Sequence, residues 1–113
     1  MNETIETKTP IGKQLKSMTE WKPASYLVFN KKKIELVAKI KIGREYDNDV
    51  VVDNKLASRH HAIIQKIKDL YFIKDENSTN GTYLNGVKIP SEKYVKLNPG
   101  DKITIGNMTL VIC

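Results

Sequence analysis

The stretch Thr82-Tyr83-Leu84-Asn85-Gly86-Val87-Lys88-Ile89 reads as a β-hairpin. Short runs of aromatic and branched residues flank Asn85-Gly86. A two-residue type I′ turn needs positive φ at both central positions, and this dipeptide tolerates it best. The chain on either side repeats the pattern. Downstream, Pro99-Gly100 supplies the fixed φ and then the positive φ of a type II turn. Lys102-Ile103-Thr104-Ile105 and Met108-Thr109-Leu110-Val111-Ile112, joined by Gly106-Asn107, make a closing hairpin. Ile103 and Ile105 fall on one face of it, Lys102 and Thr104 on the other. Upstream, Tyr26-Leu27-Val28-Phe29 is broken by Asn30-Lys31-Lys32-Lys33. Residues 34–41 alternate well enough for one or two strands, Val50-Val51-Val52 is a short apolar run, and residues 62–68 and 70–74 make two strands around Asp69. No segment after residue 24 has helical periodicity, and no internal repeat occurs. Many short strands with turns every ~8–12 residues predict an all-β chain, an antiparallel β-sandwich.

The chain has 113 residues, enough for one domain. Residues 24–113 are expected to form it. Residues 1–23 are polar, rich in threonine and lysine, and carry Pro10, Gly12 and Pro23. They read as a flexible N-terminal tail. Ile11, Leu15 and Met18 fall there at helical spacing, followed by Trp21, which suggests a short docking helix of under three turns. Cys113 is the sole cysteine, so no intrachain disulfide forms. His60 and His61 lack the usual ligand spacing, so no metal and no cofactor are expected. No apolar stretch approaches the ~20 residues that span a bilayer. The start, Met1-Asn2-Glu3-Thr4, lacks a signal core. A cytoplasmic monomer without a membrane partner is the expectation.

The net charge is +6, carried almost wholly by lysine. The chain contains two arginines and two histidines, and all four lie between residues 44 and 61. Lysine serves as a general surface cation. Arginine is needed where a planar fork must grip phosphate or carboxylate with parallel hydrogen bonds. Arg44 follows Gly43 in a loop with Asp47 and Asp49, either of which is also a surface partner for it. Arg59 follows Ser58, whose hydroxyl suits a phosphate oxygen. A third polar segment, Asn77-Ser78-Thr79-Asn80-Gly81-Thr82, comes soon after. Its short side chains favour turns by bonding their own backbone, and the Asn80 amide offers donor and acceptor together. The three loops suit anion recognition. Ser58 with His61 invites a catalytic reading, but the nucleophile-elbow pattern and an orienting third group are missing. His61, at a strand start, is better read as a clamp on neighbouring loop backbone. No enzyme is expected.

Gly43-Arg44, Ser58-Arg59-His60-His61-Ala62 and Ser78-Thr79-Asn80-Gly81-Thr82-Tyr83-Leu84-Asn85-Gly86, in that order, resemble the forkhead-associated (FHA) domain. Leu97-Asn98-Pro99-Gly100-Asp101 and Ile105-Gly106 look like that family's closing strands, and the resemblance covers about residues 24–112. It implies a sandwich of about eleven strands whose loops at one end bind phosphothreonine peptides. Carried over, Arg44 and Ser58 contact phosphate, Arg59 adds a contact, Thr79 lies near the phosphate and Asn80 bonds the peptide main chain. Gly43, His61 and Gly81 shape the loops. The implied partner is a phosphothreonine protein, a serine/threonine kinase or its substrate. Thr4, Thr7 and Thr9 lie among glutamates and are candidates for phosphorylation, which would make the tail a switch. Two other readings stay open: a phosphate-independent interaction or scaffold domain, and a nucleic-acid binder suggested by net charge, against which the scarcity of aromatic residues counts.

Overall fold

The structure is a computed structural model that describes residues 24–113. The tail expected over residues 1–23, the helix expected around Ile11, Leu15 and Met18, and Thr4, Thr7 and Thr9 lie outside the described residues. Eleven strands form among the described residues. They are β1 (Tyr26–Phe29), β2 (Lys32–Glu35), β3 (Lys39–Gly43), β4 (Val50–Val51), β5 (Ala62–Ile67) and β6 (Leu70–Asp75). Then come β7 (Tyr83–Leu84), β8 (Val87–Lys88), β9 (Tyr94–Lys96), β10 (Lys102–Ile105) and β11 (Met108–Ile112). One sheet has the order β9-β6-β5-β3-β4, the other β2-β1-β11-β10-β7-β8. Among the described residues no helix is long and apolar enough to cross a membrane.

Period-2 alternation decides which side chains meet between the sheets. Leu27, Ile40, Ile42, Val52, Ile64, Ile73, Ile103, Ile105, Leu110 and Ile112 are all 0–1% exposed. Complete burial of each such side chain contributes about 1.5–3 kcal/mol. The Asn85-Gly86 hairpin has the expected backbone, with φ of 52° and 84°. Asn85 does more than turn. Its Nδ2 donates to Asp101 at 2.9 Å, and its Oδ1 accepts from the Lys102 N–H at 2.9 Å. The side chain thereby locks the hairpin onto β10.

Two features depart from the sequence reading. The sheets are not wholly antiparallel: β3 and β4 pair in parallel, Ile42 with Val50 and Gly43 with Val51. The intervening loop returns the chain to the level of Lys41, whose C=O accepts from the Asp49 N–H at 2.9 Å. The chain then runs forward again beside β3. The other departure is β9, an edge strand on β6. It holds Tyr94 and Val95 between Lys93 and Lys96, too short a pattern to read as a strand.

Register sets where the loops gather. Ala62 faces both Ile42 and Asp75. The exit of β3, the entry of β5 and the exit of β6 therefore lie at one end of the sandwich. The Gly106-Asn107 turn of the other sheet reaches the same end, where a Cβ on Gly106 would lie 2.5 Å from Asn54 Oδ1.

Candidate functional site

The first loop leaves β3 at Gly43. A Cβ there would sit 2.2 Å from the carbonyl oxygen of Arg59 and 2.8 Å from Asn48 Nδ2, so no side chain fits. This close approach lets the loop lie against the segment that carries Ser58. The Arg44 N–H donates to the Ser58 carbonyl at 3.0 Å, and Glu45 donates to the Arg59 carbonyl at 3.3 Å. Arg44 Nε donates to the Ala57 carbonyl at 3.0 Å, which fixes the guanidinium plane and leaves its outer edge facing solvent. Neither aspartate of the loop takes Arg44. Asp47 meets His60 Nε2 at 3.0 and 3.1 Å, and Asp49 accepts from the Lys41 N–H at 2.8 Å. The His60 imidazole holds the Asp47 carboxyl below the usual carboxylate range.

Nothing in the sequence singles out Asn48. It is 7% exposed, and its Nδ2 donates to the carbonyls of Glu45 and Arg59, each at 2.8 Å. One amide thus straps the first loop to the second. Its position between two aspartates disguised it as a third solvated polar residue.

The second loop is held from within by His61, which is fully buried. The Ser58 N–H donates to His61 Nδ1 at 2.9 Å, so that nitrogen is the acceptor and the proton resides on Nε2. Nε2 then donates to the Gly81 carbonyl at 2.9 Å. The ring spans the second and third loops and has no nitrogen to spare. Ser58 meets it through its backbone, not its hydroxyl, so the pair lacks the contact a nucleophile needs with its base.

The third loop hangs on Asp75, another residue the sequence reading left out. Its carboxylate accepts from the Ser78 N–H at 3.0 Å, the Ser78 hydroxyl at 2.5 Å and the Thr82 hydroxyl at 2.6 Å. Burial raises its pKa, but these donors, with His61 nearby, outweigh that and hold it below the usual carboxylate range. The Asp-x-x-Ser spacing was the available signal. Ser78 Oγ also accepts from the Gly81 N–H at 3.0 Å, closing the loop on itself. Gly81 has φ of 87°, and the Lys88 stem lies so close that a Cβ would be 2.8 Å from its Cε.

These restraints bring the expected residues to one rim. The Thr79 N–H donates to Ser58 Oγ at 3.0 Å, and Asn80 Nδ2 donates to the Leu56 carbonyl at 3.0 Å. Arg44, Arg59, Thr79 and Asn80 are exposed and Ser58 is half-buried. The second loop is buttressed from the other sheet. Asn54 pairs with Asn107 through its Nδ2, and its Oδ1 accepts from the Leu56 N–H at 2.9 Å. What faces solvent is a set of hydrogen-bond donors on two arginines and a hydroxyl, with the Asn80 amide beside them, its Nδ2 held by Leu56 and its Oδ1 open. Such a surface suits an oxyanion with several acceptor oxygens.

A family model described as FHA domain matches residues 40–106. An ABC transporter ATP-binding/permease protein of Mycobacterium tuberculosis is 43% identical over 72 residues, covering 64% of this chain and 8% of that protein. The transcriptional regulatory protein EmbR of Mycobacterium bovis is 44% identical over 68 residues, covering 60% and 17%. The chain therefore spans under a fifth of the length of these curated relatives. Among solved structures, Mycobacterium tuberculosis EmbR in complex with a low-affinity phosphopeptide superposes with a TM-score of 0.72 at 35% identity, covering 80% of this chain and 24% of that one. The MEK1 FHA domain with a phosphothreonine peptide of HOP1 gives a TM-score of 0.71 at 28% identity, covering 80% and 96%.

Proposed function

The chain belongs to the FHA domain family, and from that premise we propose that it is a phosphothreonine-dependent peptide-binding module serving serine/threonine kinase signalling. The observation that carries the reading is the hydrogen bond from the Thr79 N–H to Ser58 Oγ at 3.0 Å. Because Oγ accepts there, its own O–H remains to donate outward, beside an Arg44 already aligned through Ala57. A phosphothreonine carries about −1.5 to −2 charge and three acceptor oxygens. The outer guanidinium edge of Arg44 takes two of these oxygens, and the Ser58 hydroxyl takes a third. Arg59 and Thr79 complete the phosphate contact. Asn80, whose Oδ1 stays open while Nδ2 holds Leu56, accepts a main-chain N–H of the peptide. Gly43, His61 and Gly81 keep the loops in register without touching the peptide.

Each charge-assisted bond contributes about 1.5–3 kcal/mol net. Two or three of them with the Asn80 contact give micromolar affinity, about −8 kcal/mol. The partner is a protein phosphorylated on threonine, a kinase or its substrate. The role is binding rather than catalysis, since both His61 nitrogens are committed to backbone groups.

The test is a calorimetric titration with a phosphothreonine peptide and its unphosphorylated twin. Wild type is expected to bind the first alone. Arg44→Ala should lower affinity by at least about 100-fold, as expected for losing a bidentate charge-assisted contact, with an unchanged circular dichroism spectrum. Undiminished binding by Arg44→Ala would remove this residue from the site.

A further inference from the structure

We propose that the outer face of the five-stranded sheet, at the end remote from the three loops, is a second docking surface, for a protein segment that carries apolar side chains among carboxylates. Register defines the face. Ile40, Ile64 and Ile73 point inward, at 0–1% exposure, so the residues alternating with them point out. Lys39, Gln65 and Phe72 stand side by side on β3, β5 and β6, and Lys96 on β9 follows Phe72. The next outward row pairs Ile67 with Leu70. Val37 lies beside it, where the Lys66 N–H donates to the Ala38 carbonyl at 2.9 Å. Val37 is 53% and Ile67 38% exposed, while Leu70 and Phe72 are half-buried.

A solvated sheet face is ordinarily polar. The six-stranded sheet dilutes its outward apolar residues, Val28 facing Val111, with Thr104 facing Thr109 and with exposed Lys33, Glu35 and Lys102. The five-stranded sheet instead leaves Val37, Ile67, Leu70 and Phe72 contiguous at one end. Such a cluster on a soluble domain marks an interaction site.

The surrounding charge selects the occupant. Lys39 flanks the patch on one side and Lys96, which has an interaction of its own, on the other. Lys74 is already engaged with Glu76 at 3.2 Å and Glu92 at 3.9 Å. Asp69, in the turn between β5 and β6, and Glu35 are carboxylates at this end, with Lys66 beside them. A second copy of the chain would set lysine against lysine in a protein of net charge +6. A nucleic acid gains little here, because base stacking needs aromatic planes and the patch offers one, the half-buried Phe72, among aliphatic Val37, Ile67 and Leu70. Tyr94 on this face is committed, with its hydroxyl on Gln65 at 3.2 Å and Lys74 over its ring at 5.2 Å. An acidic protein segment with apolar anchors fits both the patch and its rim.

The test uses isotope-labelled full chain and a soluble peptide carrying two leucines among glutamates. Amide shifts are expected at Lys39, Gln65, Ile67 and Phe72, and none at Ser58 or Thr79. Ile67→Lys and Val37→Lys should each weaken the peptide by at least about fivefold, as hot-spot truncations do. Both variants should keep wild-type affinity for a phosphothreonine peptide, which also reports that they fold. Failure of phosphothreonine binding in wild type would instead overturn the reading of the loops and leave this one standing. Equal binding of an all-glutamate peptide would reduce the patch to bare charge and overturn the proposal. So would stronger shifts of the same amides by an oligonucleotide of equal charge. Self-association abolished by Ile67→Lys, or an absence of shifts, would overturn it too.

Discussion

Asp75 is 3% exposed and carries its charge only because three donors on Ser78 and Thr82 converge on it. The consequence is a pH dependence of known sign. The folded carboxyl titrates below its ordinary value, whereas the unfolded one titrates near ~3.9. Above that value both states are ionised and the stabilisation is complete. As pH falls through the ordinary value and then the lower folded one, the unfolded state takes up its proton first and the stabilisation is lost. Urea unfolding should therefore show a stability that is flat near neutrality and declines below about pH 4. Asp75→Asn should lose about 2 kcal/mol at pH 7, the scale of a buried charge-assisted hydrogen bond, and flatten part of the acid decline. A variant as stable as wild type at pH 7 would show that the third loop does not hang on this carboxylate. The exposed Asp47, paired with His60, should contribute little by comparison.

At the scale of the elements, the site depends on loops being tied to one another more than on any loop's own conformation. Asn48 spans the first and second, His61 the second and third, and Asn54 joins the second to the turn of the other sheet through Asn107. Asn48→Ala deletes one hydrogen bond within the first loop, to Glu45, and one to the second loop, at Arg59, without touching the proposed ligand surface. It should cost about 2 kcal/mol of stability and lower phosphopeptide affinity by about tenfold, because Arg44 loses its fixed relation to Ser58. Full affinity in a destabilised Asn48→Ala would mean that the first loop positions Arg44 unaided. The same distinction explains what was legible in the sequence. Hairpins written locally, such as Asn85-Gly86 or the closing pair β10 and β11, could be read because turn chemistry and alternation sit within a few residues. Arg44, Ser58 and Asn80, at the rim of the proposed phosphate cup, stood out because arginine is scarce and the motifs recur in a known family. Asn48 did not stand out, because the partner that matters lies across space, whereas Asp75 bonds Ser78 and Thr82 nearby and only its Asp-x-x-Ser spacing marked it. Eleven residues separate Asn48 from the Arg59 carbonyl it binds. The parallel pairing of β3 with β4 was hidden likewise, since it is set by the path of the loop between them.

For the whole molecule, the question is whether the chain can supply its own ligand. β1 pairs with β11 so that Leu27 faces Ile112, while β11 begins next to Gly106-Asn107 at the loop end. Ala24 therefore enters the sandwich at the end opposite the cup. A ligand threonine in residues 1–23 has to cover the length of the sandwich, whose strands of at most six residues measure about 20 Å. Even Thr9, fifteen residues before Ala24, has a contour of about 50 Å at full extension. Reach is no obstacle for Thr4, Thr7 or Thr9. A tethered phosphothreonine acts at an effective concentration on the order of millimolar, far above a micromolar dissociation constant. Phosphorylation at one of these threonines should therefore weaken binding of an external phosphopeptide by at least about tenfold. Removal of residues 1–23 should restore it, since the described residues hold a continuous core of their own. Paired titrations of phosphorylated, unmodified and truncated protein against one phosphopeptide check this. The decisive comparison is the first two: identical affinities would mean that the tail never competes for the cup, and the self-regulated reading would fall while the binding module stood.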